Sequence, residues 1–172
     1  MPSNWSLTQL KDICDVKGGK RIPAGEKFSL SSTSHMYLRV TDMKDCTIRG
    51  CAYVDDHIYN LIKKYTINSG DIYITVAGTI GDVGIVPNKY NGANLTENAD
   101  KLILCSAISK DWFLLYLQSN MCKKQIKDAT TKVGQPKLAI KRIEDIIIGL
   151  PPRNEQEKIY IKTKNLLDHL FV

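Results

Sequence analysis

Five short runs rich in Val, Ile, Tyr and Thr crowd one stretch of the chain: "MYLRVT" (36–41), "CAYV" (51–54), "DIYITVA" (71–77), "VGIV" (83–86) and "KLILC" (101–105). Gly, Asn and Asp separate them, as expected of β-strands bounded by turns. Most of the gaps are too short for a helix, which removes a repeating βαβ pattern. The strands must pair antiparallel or in mixed fashion, and any helices must come from the flanks of this stretch.

The flanks offer three helical patterns. Residues 6–16 begin with Ser6 and Gln9 in the S-x-x-Q form of a capping box, and Leu7, Leu10, Ile13 and Cys14 recur at helical spacing. Ser109 is a good N-cap with Asp111 in the first turn; Trp112, Leu115, Tyr116 and Ile126 fall towards one side of the helix that follows. A last apolar run, "IIIGL" (146–150), reads as a buried strand and meets Pro151-Pro152. Proline cannot extend a hydrogen-bonded ladder, so the pair ends the strand. Asn154 then reads as an N-cap, with Glu157 three residues on to complete a capping box. Ile159, Thr163, Leu166 and Leu170 mark an apolar stripe. At ~1.5 Å per residue such a helix is roughly 27 Å long, and its stripe wants a partner.

The glycines of "AGTIGDVG" sit between two β runs and do not form G-x-G-x-x-G. Gly78-Thr79-Ile80-Gly81 matches the G-x-x-G of a KH loop, but the helices flanking that loop are missing; a tight turn between strands is the expectation. His35, His57 and His169 are scattered, and there is no P-loop, nucleophile elbow or C-x-x-C pair. Asp55-Asp56-His57 reads as a surface turn. Five cysteines in a chain without a signal-peptide pattern read as free thiols, and Cys46 with Cys51 lacks the second pair of a zinc site. No reacting constellation emerges, no cofactor is called for, and a cytoplasmic location is expected.

Charge is the positive signal. The net charge is +6, and residues 110–144 alone carry eight Lys or Arg against three acids. A field this concentrated suits a polyanion, most simply nucleic acid. Lys123, Lys124, Lys127, Lys132 and Lys137 supply cations for phosphates, and a second basic loop adds Lys17, Lys20 and Arg21. Gln135 is the better candidate for a base, because its amide pairs with adenine at two points.

In order, these landmarks resemble the specificity (S) subunit of type I restriction–modification systems. The resemblance is to one target-recognition domain with the start of its spacer helix. It runs from Trp5, Leu10 and Ile13 through the Gly18-Gly19 loop to "YLRVTDM" (37–43). It continues through "NSGDIYITVAGTIGDVGIV" (68–86) and "GANLTENADKLIL" (92–104). The most specific piece is "VGQPKLAIKRIEDIIIGLPPRNEQEKI" (133–159), whose Pro-Pro-x-x-Glu-Gln is the family's junction with the spacer helix. A complete S subunit usually has two such domains and two long helices; one of each is visible here.

The resemblance implies an α+β fold: a twisted, barrel-like body of mixed and antiparallel strands with helices packed on it. Residues 1–150 would be the recognition domain, and 151–172 the junction and start of the spacer helix. It implies no catalysis in this chain. The partners would be double-stranded DNA, a methyltransferase (M) subunit and, through it, a restriction (R) subunit. Ile159, Leu166 and Leu170 would mediate assembly, including self-association. Two alternatives stay open: the recognition domain of a single-chain restriction–methylation enzyme, and a basic adaptor for an acidic protein.

Overall fold

The computed structural model describes residues 2–131 and 134–170, the last of these as backbone only. Twelve strands and five α-helices form in the described residues. The strands are β1 (Ser6–Gln9), β2 (Cys14–Gly18), β3 (His35–Leu38), β4 (Met43–Lys44), β5 (Thr47–Ile48), β6 (Ala52–Val54), β7 (Thr66–Ile67), β8 (Ile72–Thr75), β9 (Val83–Ile85), β10 (Ala93–Leu95), β11 (Ala99–Leu104) and β12 (Ile147–Leu150). The helices are α1 (Asp56–Ile62), α2 (Lys110–Gln118), α3 (Asn120–Ala129), α4 (Ile140–Glu144) and α5 (Arg153–Leu170). None is long and apolar enough to cross a membrane.

Two four-stranded sheets make the body. The first, in the order β2-β11-β8-β9, is antiparallel throughout. The second, β6-β3-β10-β7, is mixed, with β10 parallel to β3. Period-2 alternation assigns each strand's faces. Ile72, Ile74 and Leu102 point to one side of the first sheet and join Trp112, Phe113, Leu117 and Ile126 of α2 and α3 in the largest core. Tyr73 points to the other side and joins Leu38, Ile67 and Leu95 of the second sheet. Tyr37 and Val54 face away from that shared core and pack on Ile58 and Ile62 of α1. The α+β class and the barrel-like mixed body expected from the sequence are what the chain adopts.

Several local expectations fail for identifiable reasons. Residues 6–16 form no α-helix. Thr8 Oγ1 and the Gln9 N–H both donate to Asp12, which closes a 3-10 turn over Leu10–Asp12. Leu7 stays exposed and pairs across to β12, whereas Cys14–Gly18 alternates buried and exposed as a strand does. The turn expected at Asp55-Asp56-His57 is instead the start of α1, with Ile58 and Ile62 buried one turn apart. The helix after Ser109 is broken at Ser119, whose backbone is extended and whose hydroxyl accepts the Cys122 N–H at 3.2 Å. Ser109 itself caps α2 as expected.

At the proline junction, β12 ends and α5 begins at Arg153, one residue before the expected cap. Asn154 lies in the first turn, and Glu157 pairs with Arg153 at 3.0 Å in place of a capping box. Gln156 carries the junction. Only 1% exposed, it accepts the Ser109 N–H at 2.8 Å and donates to the Pro151 carbonyl at 2.9 Å. Trp5 and Asn4 both donate to Glu155, and Ile159 packs against the largest core. The first turns of α5 are thus tied to the body. Further along, Ile161, Leu166 (58%) and Leu167 (45%) are exposed. The Leu170 side chain lies outside the described residues.

Candidate nucleic-acid interface

The loops at one end of the first sheet are stitched into a continuous rim by backbone hydrogen bonds. Gly19 and Lys20 donate to Ala99 and Leu95; Val76 and Ala77 donate to Asn98; Leu138 donates to Val76. Three loops far apart in sequence (19–21, 76–82 and 134–138) therefore line up around the turn at 96–98. Glycine makes the first contact possible, because a Cβ on Gly19 would run into the backbone carbonyls of Thr96 and Leu95. The turn at 76–82 is the tight one expected from its glycines. Gly78 and Gly81 have φ of +74° and +86°. The buried Thr75 hydroxyl accepts the Asp82 N–H at 3.0 Å and donates to the Thr79 carbonyl. Thr131 and Lys137 exchange hydrogen bonds and hold one end of the 134–138 loop to the end of the segment after α3.

Beside the rim lies a cleft of about 820 Å³ with an apolar floor of Ile80, Val83 and Ile126. Lys44, Lys123 and Lys127 line it, against Asp45 and Asp82. Lys44 comes from the β4–β5 hairpin, whose turn residues Asp45 and Cys46 both take positive φ. The Cys46 N–H donates to Asp82 at 3.0 Å, which docks this hairpin on the rim. Burial, and then the Asp82 carboxylate, push the Cys46 thiol pKa up, away from nucleophilic use. All five cysteines are free.

The structure sorts the expected contact residues by availability. Lys123 and Lys127 are exposed on the cleft wall, whereas Lys124 is turned to Asp128 at 2.6 Å. Gln135 and Lys137 are exposed on the rim. Lys137 also acts on Asp100, a buried carboxyl on β11 of the first sheet. Burial pushes the Asp100 pKa up to about 6, the Lys137 charge opposes this, and one carboxyl oxygen has no hydrogen-bond partner among the described residues. Lys20 is exposed on the rim, and Arg21 is held by Glu97 at 2.7 Å. Lys17 lies apart, on the outermost strand of the first sheet at the opposite edge from β9. Lys132 lies outside the described residues. Sequence reasoning missed Lys44, whose place depends on a turn with no glycine in it.

The arrangement has cations and amide groups on an exposed, hydrogen-bonded rim, beside a cleft with an apolar floor. Ammonium groups so placed can pair with phosphates, and an exposed side-chain amide can both donate and accept. Comparison with known proteins gives the class. Residues 2–170 match the type I restriction modification DNA specificity domain, so the chain belongs to that family. It is 28% identical to a Methanocaldococcus jannaschii chain named for the MjaX specificity subunit, covering 92% of this chain and 38% of that one. It is 23% identical to the type I restriction enzyme EcoBI specificity subunit of Escherichia coli, covering 96% and 35%. Among solved structures, the HsdS subunit from Thermoanaerobacter tengcongensis superposes with a TM-score of 0.75 at 18% identity, over 98% of this chain and 39% of that one. The chain thus spans under half the length of these relatives.

Proposed function

We propose that this chain reads one half of a split duplex DNA target, without catalysis of its own, in the cytoplasm. It would position a partner methyltransferase and, through that partner, a restriction subunit. The observation that carries the reading is the rim: three distant loops locked together by backbone hydrogen bonds, with Lys20, Gln135 and Lys137 exposed on it and Lys123 and Lys127 beside it. Lysines hold phosphates without regard to sequence, and the Gln135 amide offers two-point pairing to an adenine edge. The chain should therefore enrich one short continuous motif from a random duplex pool. Recovery of unselected sequence would count against it.

The far part of α5 fits an assembly role. Ile159 is used by the body, so Ile161, Leu166 and Leu167 are the residues left for another helix, from a second domain or a second copy. Replacing Leu166 and Leu167 with Lys should reduce self-association or methyltransferase capture. Thermal stability should hold, since both residues are exposed. Normal assembly by that variant in sedimentation and pull-down measurements would exclude the role.

A further inference from the structure

A second cleft, of about 360 Å³, opens where the two sheets part, between β2–β11 and the β7–β10 edge. Its polar lining is Lys17, Lys64, Lys101 and Thr66, with the Tyr65 ring as one wall. No carboxylate lines it. Lys17 and Lys101 are direct cross-strand partners, on the same face of the antiparallel β2–β11 pair. Like charges so placed repel and destabilise a sheet. The nearest relief for Lys17 is Asp15 at 3.8 Å, itself largely in solvent, where such a pair is weak. Lys101 is steered inward by one hydrogen bond to the Thr66 carbonyl at 2.7 Å. Lys64 is exposed and has no acid partner among the described residues. Lys20, on the rim, holds its ammonium 5.9 Å from the Tyr65 ring centre.

The walls of this cleft are fixed. The Tyr65 carbonyl accepts the Leu95 N–H and its own N–H donates to Ile62, each at 2.9 Å. Buried Asn94 donates to the Ile62 carbonyl at 3.0 Å. The lysines therefore converge on a preformed concavity, and an anion there would remove their mutual repulsion.

We propose that this second cleft is a phosphate site, and that its occupant is the backbone of duplex DNA outside the half-site being read. Lys20, on the rim, reaches over the ring of Tyr65, which lines the cleft, so one positive track joins the two. The contact is indifferent to base sequence because nothing in the lining faces a base edge with a paired donor and acceptor. This inference rests on the DNA-reading function proposed above.

The test is the salt dependence of duplex binding by the full chain, in wild type and in K17Q/K64Q, two exposed positions whose exchange spares the fold. Each phosphate contact contributes about 0.9 to the slope of log K against log salt. The double variant should lose about two from that slope, with affinity falling by the same factor for target and non-target duplexes. K17R/K64R should keep the wild-type slope. A wild-type slope retained in K17Q/K64Q would overturn the cleft assignment alone. A wild-type chain without salt-dependent duplex binding would overturn the reading function and the cleft with it. Adenosine monophosphate, followed through the Tyr65 ring resonances, separates the other source of phosphate: saturation lost in K17Q/K64Q while the duplex slope stays unchanged would assign the cleft to a free nucleotide and overturn the DNA backbone as its occupant.

Discussion

Replacing Gly19 with alanine should destabilise the domain by about 3 kcal/mol or more, whereas the same change at Gly18 should be close to neutral. A Cβ at Gly19 meets two backbone carbonyls, Thr96 and Leu95, which no side-chain rotation can move aside. At Gly18 the nearest atoms lie at 3.5 Å, an ordinary contact with side chains. Relief at Gly19 requires the 19–21 loop to lift, breaking its hydrogen bonds to Ala99 (3.2 Å) and Leu95 (2.8 Å). Each such bond is worth ~1 kcal/mol, and the residual overpacking ~1–3 kcal/mol. For a chain of this size that is a fall in Tm of about 10 °C. Because the same bonds align the rim, Gly19→Ala should also lose sequence preference in binding at temperatures where it remains folded. Thermal melts of both alanine variants, with binding measured below the transition, provide the check. Equal stability for the two would contradict the close approach.

Neutralising Lys123 and Lys127 together should cost roughly a hundredfold in duplex affinity near 0.1 M salt and lower the salt slope by about two. Both line the cleft beside the rim without an acid partner among the described residues. Lys124→Gln should change little, since its ammonium is already paired with Asp128. The loss should be uniform across sequences, because a phosphate contact carries no base information. A loss confined to one sequence would make these lysines base readers. No loss would remove α3 from the interface.

The elements legible in the sequence are those whose pattern is local. The five β runs survive because alternation and turn residues act within a few positions, and Ser109 caps α2 for the same reason. The helix expected over 6–16 gives way because the Asp12 side chain gathers the Gln9 N–H and the Thr8 hydroxyl into a tighter turn, which apolar spacing alone does not show. Ser119 and Asn120 are capping residues in mid-helix, a visible sign that α2 and α3 would part. The cap expected at Asn154 lost to tertiary structure: Gln156 finds its partners in Ser109 and Pro151, and no local pattern shows this. The basic character of the candidate interface is readable from composition. Its layout is not, because strand register alone sets Lys101 against Lys17, and a hairpin with positive-φ Asp45 and Cys46 alone brings Lys44 to the cleft.

We propose that this domain chooses half of a DNA target. The most direct measurement is a map of methylated positions in cells carrying the chain with a methyltransferase subunit of the same system, before and after residues 1–150 are exchanged for the matching domain of another family member. A split motif is expected in which each half read by a copy of this domain changes with the exchange while the spacing stays constant. An unchanged motif, or methylation independent of this chain, would contradict it.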